Sequence, residues 1–238
     1  NHDVPASLVG SSLREWLAPM RAKAHNLVNR YFRYRPYLTQ RADQVRPSGA
    51  SSCLGVHIRL ADKQGSFRRK IKAGDYLPYI EAFVRAGGKA VYVATDTERP
   101  LTYMMKNLPD FVTEKIRTQG HHIVRSETGE WATHLLDDHH RVNSETLVDI
   151  LALSRCSLLL HSHSTVSEAA IYLNPSLHNN SVNLEDSDRI LSKDFEMLTR
   201  FALGKDKTLQ KDEGAAFRSP RIVRHNEAER PCRSNAII

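Results

Sequence analysis

The chain predicts an α/β fold, a parallel sheet covered on both faces by helices, and three observations carry that expectation. Short apolar runs end in polar residues at 54–59, 90–95 and 158–161. The segments between them space their apolar residues as helices do, so strand and helix alternate from Leu54 onward. Glycine and hydroxyl residues punctuate the pattern, with Gly87-Gly88 closing one helical segment and Ser164-Thr165 opening another.

Residues 1–50 read as a helical segment and a linker. Ser12 is placed to cap a helix in which Leu13, Trp16, Leu17 and Met20 share a face, Pro19 marks a kink, and Ala24, Leu27, Val28 and Tyr31 continue the apolar side. That helix is expected to pack on the sheet. Pro36, Pro47, Ser48 and Gly49 mark turns. The strand at 54–59 alternates Val56 and Ile58 with His57 and Arg59, which should project from one face at its carboxyl end. A helix near 75–86 carries Tyr76, Tyr79, Ile80 and Phe83 on one side. After the strand at 90–95, Thr95 or Thr97 caps a helix running to about Asn107. A short strand is predicted at 122–124 and a surface loop at 126–144, whose Asn143, Ser144 and Glu145 lead into a helix at 145–154. The strand at 158–161, a helix from Thr165 to Leu173 and a last strand at 181–184 complete a Rossmann-like domain over 51–187. Residues 188–238 hold a short helix at 194–202 and a basic tail rich in Lys, Arg and Glu, expected to be loosely ordered.

At 238 residues and 40% hydrophobic content, the chain can bury a core of one large domain. No run of about 18 apolar residues suggests a membrane span, and the chain as given is expected to be soluble. It begins at Asn1, which reads as a fragment or processed form. The net charge of +7 raises nucleic-acid binding, but the excess lies toward the two ends, Arg30 to Arg46 and Lys205 to Arg233, without a recognisable nucleic-acid motif. A basic surface also suits an enzyme whose substrate is an anionic nucleotide. Cys53, Cys156 and Cys232 form no Cys-x-x-Cys pair, and Cys156 reads as a buried small hydrophobe. His121-His122, His134 and His139-His140 lie near Asp137-Asp138 but lack the spacing of metal ligands, so no metal is expected.

The chemistry concentrates at the ends of strands, where open α/β sheets keep their ligands. Arg59 offers a planar fork of donors to phosphate oxygens, His57 adds a donor, and Asp62 with Lys63 are candidates to orient that fork or meet a substrate. Ser164 and Thr165 open a helix whose backbone donors attract anions, although either residue also serves as an ordinary cap. Asp149 lies in an otherwise apolar helix, Leu147-Val148-Asp149-Ile150-Leu151, and is costly to bury without a partner.

The motif His57-x-Arg59-x-x-Asp62-Lys63, followed by Ala94-Thr95-Asp96-Thr97, Asp149 and Ser164-Thr165, resembles the donor half of the alpha-1,6-fucosyltransferases and protein O-fucosyltransferases. The likeness runs from about Leu54 to Asn174, roughly half of the chain. It implies the nucleotide-binding half of a GT-B glycosyltransferase, with GDP-fucose as donor, a glycan or glycoprotein as acceptor, and a place in the secretory pathway, in the Golgi. It also implies that His57 and Arg59 hold the diphosphate, that Asp96 belongs to the donor site, that Asp149 reads the guanine, and that Ser164 and Thr165 lie near the phosphates. Inverting transfer needs a neutralised leaving diphosphate, room for an oxocarbenium-like sugar and an acceptor relieved of its proton, and cationic side chains can meet the first need without a metal. Asp62 and Lys63 are candidates for the acceptor step. Two positions depart from the family: Leu60 stands where a second Arg is usual, and Phe67 where the alpha-1,6 enzymes carry a Glu. The donor site is therefore better kept than the proton relay, and a non-catalytic nucleotide- or glycan-binding module is the alternative reading.

Overall fold

A computed structural model describes residues 13–45, 52–59, 71–120, 139–185 and 192–203. Five strands form one sheet: β1 (Cys53–Ile58), β2 (Ala90–Thr95), β3 (Ile116–Arg117), β4 (Leu158–His161) and β5 (Ser181–Asn183), in the order β3-β2-β1-β4-β5. Every pairing is parallel, so the fold is α/β and Rossmann-like. Strands β1, β2 and β4 are buried at every position, as expected of central parallel strands with helices on both sides.

Alternation along the strands divides the core. Cys53, Tyr92 and Leu159 face a cluster that includes Leu38, Val148, Leu151 and Ile171, supplied by α2 (Pro36–Val45), α6 (His139–Ser154) and α7 (Thr165–Leu173). Gly55 lies between them, and a Cβ there would come within 3.1 Å of Leu153 Cδ2. The absent side chain lets the end of α6 lie close on the strand. Leu54, Val56 and Ile58 point to the opposite face. The connection from β1 to β2 runs through a short 3₁₀ turn, Ala73–Tyr76, and α3 (Leu77–Arg85), which buries Tyr79, Ile80 and Phe83. Gly87, at φ +100°, ends α3, and the N–H of Gly88 returns to the carbonyl of Phe83. Helices α4 (Glu98–Asn107) and α5 (Asp110–Thr113) follow β2, and α8 (Ser192–Ala202) packs on α3.

Three sequence expectations change. α1 (Leu13–Tyr31) does not lie on the sheet; it packs on α7, because α6 and α7 already cover that face. Polar contacts hold it there. Arg21 grips Glu168 through Nε (2.9 Å) and Nη2 (2.5 Å) and donates from Nη1 to His178 Nδ1 (2.9 Å), while Arg14 donates to the Ser181 carbonyl (2.7 Å). Pro36 opens α2 instead of marking a turn, since a first helical residue has no use for the N–H that proline lacks. Residues 139–144 belong to α6 and not to a loop, their polar character overridden by the helix that follows. A strand that the sequence did not announce, Ile116–Arg117, pairs with β2; the expected strand at 122–124 lies outside the described residues, as do Ser12 and the tail beyond 203. All described residues belong to one compact unit, Asn1–Asp206.

A Cβ at Gly88 would fall 2.3 Å from the ring of Phe83, which is itself fully buried. Gly88→Ala is therefore expected to destabilise the fold by roughly 1–3 kcal/mol through overpacking. The urea midpoint measures this, and an unchanged midpoint would show that Phe83 moves without cost.

Candidate functional site

From β1 the chain steps to β2 and β3 on one side, then returns to β4 and β5 on the other. The carboxyl ends of β1 and β4 thus flank the topological switch point, where connections leave in opposite directions and open a crevice. His57 and His161 are register partners there. Arg59 follows β1 directly and is half-buried, and the segment Ser162-His163-Ser164 leads from β4 into α7.

Polar side chains tie this end of the sheet together. His57 is only 4% exposed and turns toward α7, where its Nδ1 lies 2.8 Å from Ser167 Oγ. The Ser167 hydroxyl also reaches the carbonyl of Ser162 (3.2 Å), and His161 donates from Nδ1 to that same carbonyl (3.1 Å). On the other side of β1, Tyr76 donates its hydroxyl to the carbonyl of His57 (3.3 Å). Burial raises the Tyr76 pKa above its ordinary value, against the opposing hydrogen bond with the Ser162 side chain. Ser164 is the N-cap of α7, and its side chain accepts from the N–H of Val166 (3.3 Å). Thr165 is the first residue of the helix and is exposed, so the first-turn donors of α7 begin at the crevice. Beside it, His163 is fixed by its backbone N–H to Glu185 (2.8 Å) and by the Asn183 amide at its Nε2 (2.9 Å).

Asp96 follows β2 and is half-buried at the same end of the sheet. Thr97 occupies the N-cap position of α4 without a side-chain capping bond. Asp149 is half-buried on α6. Its Oδ1 accepts from the Tyr92 hydroxyl (2.6 Å) and from the Gln119 amide (2.5 Å), and that amide also donates to the Glu145 carbonyl (2.7 Å). The carboxylate thus has protein donors from β2 and from the segment after β3, which answers the cost of placing it in an apolar helix. Asp62, Lys63, Leu60 and Phe67 lie outside the described residues. So do His121, His122, His134, Asp137 and Asp138; among the described residues no group of His, Cys, Asp and Glu is arranged to hold a metal. Cys53 and Cys156 are buried free thiols. No helix among the described residues is long and apolar enough to cross a membrane.

Sequence reasoning named His57, Arg59, Ser164 and Thr165 and missed the polar residues that tie His57 and Ser162 in place. Tyr76, His161 and Ser167 are fully or almost fully buried polar groups, a depth that the sequence does not display. Tyr92, a hydroxyl inside the apolar strand Ala90–Thr95, was the counterpart signal to Asp149.

His161 is 1% exposed, and burial lowers its pKa to about 4 from 6.5, partly offset by the Ser162 carbonyl. The unfolded chain therefore binds a proton that the folded chain does not between these two values. Stability should be fully present above pH 6.5 and fall as pH drops toward 4, by a total on the order of a few kcal/mol. His178, lowered by burial and then by Arg21, acts in the same direction. Urea titrations across this window test the slope, and His161→Asn should flatten it. Tyr92→Phe removes a donor from Asp149 and should cost about 1.5–3 kcal/mol, the usual worth of a hydrogen bond to a charged group; the same denaturation assay reads it. No protein-family model matches the chain, and no curated protein matches its sequence.

Proposed function

We propose that the chain is the donor-binding domain of an inverting fucosyltransferase, taking GDP-fucose and passing fucose to a glycan or glycoprotein in the secretory pathway, in the Golgi. What supports this reading is that His57 and Arg59 stand at the carboxyl end of β1, at the switch point of a Rossmann-like sheet, with His57 bonded to Ser167 in the first turn of α7, together with the motif likeness at those residues. In this reading Arg59 neutralises the pyrophosphate, the N–H donors from Thr165 onward take a second phosphate edge, and His57 contributes from the β1 side. Asp96 borders the donor, and Asp149 meets the guanine by exchanging a protein donor for a nucleobase N–H. During transfer the acceptor hydroxyl attacks the anomeric carbon on the face opposite the nucleotide. The bond from that carbon to the β-phosphate oxygen breaks with its electron pair leaving on GDP, and the hydroxyl proton passes to a base, for which Asp62 is the candidate, with Lys63 beside it. Charge building on the departing phosphate is what Arg59 stabilises. No metal is required for that step.

A second reading, a non-catalytic nucleotide- or glycan-binding module, is favoured by Leu60 and Phe67, which supply neither the second cation nor the carboxylate of the family pattern. GDP binding without fucose transfer to any glycan acceptor distinguishes it.

Calorimetry with GDP tests the donor site. Arg59→Ala should weaken GDP by about 10- to 100-fold, the worth of a charge-assisted contact. A folded chain that ignores GDP, or an Arg59→Ala variant that binds equally well, overturns the reading.

A further inference from the structure

The pattern Asn-x-Ser occurs twice in the sequence, at Asn174-Pro175-Ser176 and at Asn179-Asn180-Ser181. It marks an acceptor for asparagine-linked glycosylation only where the middle residue is not proline, which removes the first. The structure separates the two in the same way. Asn174 is committed: its amide nitrogen donates to the Ser154 carbonyl (2.8 Å), and its Oδ1 accepts from the backbone N–H (3.2 Å) and the hydroxyl (2.6 Å) of Ser176. A sugar on that nitrogen would break the bond that ties the end of α7 to the end of α6. Asn179 is exposed and closes the turn Pro175–His178 that leads into β5. Its backbone is fixed, since its N–H donates to the Ser176 carbonyl (3.2 Å) and the N–H of Asn180 donates to the same oxygen (3.1 Å). Its side-chain amide makes no hydrogen bond among the described residues, so a substituent on it costs no protein contact. Ser181 is buried as the first residue of β5 and pairs with Leu159. Asn179 therefore stands at the amino ends of the strands, whereas the crevice opens at their carboxyl ends.

We propose that Asn179 carries an N-linked glycan when the chain passes through the secretory pathway, with an oligosaccharide diphosphate as the sugar donor. In that step Nδ2 of Asn179 forms a bond to the anomeric carbon of the donor. The bond from that carbon to the diphosphate oxygen breaks with its electron pair leaving on the diphosphate, and one amide proton passes to a base on the transferring enzyme. That enzyme must also reach the hydroxyl of Ser181, so transfer precedes the burial of Ser181 in β5 and the glycan is carried into the folded state. The fold then supplies what a bulky hydrophilic group needs, an exposed turn remote from the crevice. The meeting of site and enzyme rests on the secretory-pathway reading proposed above; the fitness of the site does not.

Translation of the full chain behind a cleavable signal sequence into glycosylating microsomes tests the site, since modification there is read whether or not a variant folds. The parent should shift by a single glycan, and its removal with peptide N-glycosidase should leave an aspartate in place of Asn179. Asn179→Gln and Ser181→Ala should each abolish the shift, and Asn174→Gln should keep it. A parent chain that enters the microsomes unmodified, or a glycan that survives Asn179→Gln, overturns the inference. The folded product gives a second readout. Secreted from cells behind the same signal sequence, the glycosylated chain should match Asn179→Gln in urea midpoint and in GDP affinity. A secreted, folded chain with a bare Asn179, or a midpoint lowered by the glycan, also overturns it. Absence of GDP binding by both proteins sinks the nucleotide reading instead and leaves the urea comparison to decide. A bare Asn179 in the chain isolated from its native cells, alongside modification in the microsomes, sinks the secretory-pathway reading and leaves the site standing.

Discussion

Strand β1 is buried at all six positions and paired on both edges, yet it carries an imidazole at its fifth residue. A polar ring in that position is almost wholly withdrawn from solvent, so neighbouring elements must supply its partner. Helix α7 does so with Ser167, and its approach to the sheet, in turn, brings the N-cap at Ser164 and the exposed Thr165 to the end of β4. Tyr76 meets the same constraint from the other face, its hydroxyl taking up the backbone carbonyl of His57. The carboxyl ends of β1 and β4 are therefore held where they are by the need to satisfy a few buried polar atoms.

Asp149 illustrates the same rule on α6. A carboxylate among Leu147, Val148, Ile150 and Leu151 signals a required partner, but the sequence around it does not say from where. The donors come from Tyr92 and Gln119, far apart along the chain and adjacent only because β2 and β3 pair. The Oε1 of Gln119 is buried without a hydrogen-bond partner, which leaves this corner of the molecule with spare accepting capacity beside a carboxylate.

Much of the fold was legible because the central strands are continuous apolar runs and because the helices that cover them have clear boundaries. The expected strands at 90–95 and 158–161 and the helix from Thr165 to Leu173 coincide with β2, β4 and α7. Where reading failed, the reason is physical. Two residues, Ile116 and Arg117, are too few to show a period of two. Pro36 carries the same fixed φ in a turn and at a helix start, so its identity alone does not choose between them. The segment 139–144, His-His-Arg-Val-Asn-Ser, has no apolar stripe of its own and is helical as the leading end of α6. At the site, residue types announced His57, Arg59 and Ser164, whereas Ser167 and Tyr76 were hidden, since a hydroxyl becomes informative only once its depth is known.

The ion pair between Arg21 and Glu168 reaches beyond the anchoring of α1. Glu168 belongs to the first turn of α7, the very end of the helix that opens on the crevice, where a bare carboxylate would repel an approaching anion. The guanidinium cancels that charge from a helix 147 positions earlier in the chain. The amino-terminal helix is thus an electrical component of the crevice, and a version of the protein cut just after it would keep every strand while greeting anions with an uncompensated negative charge.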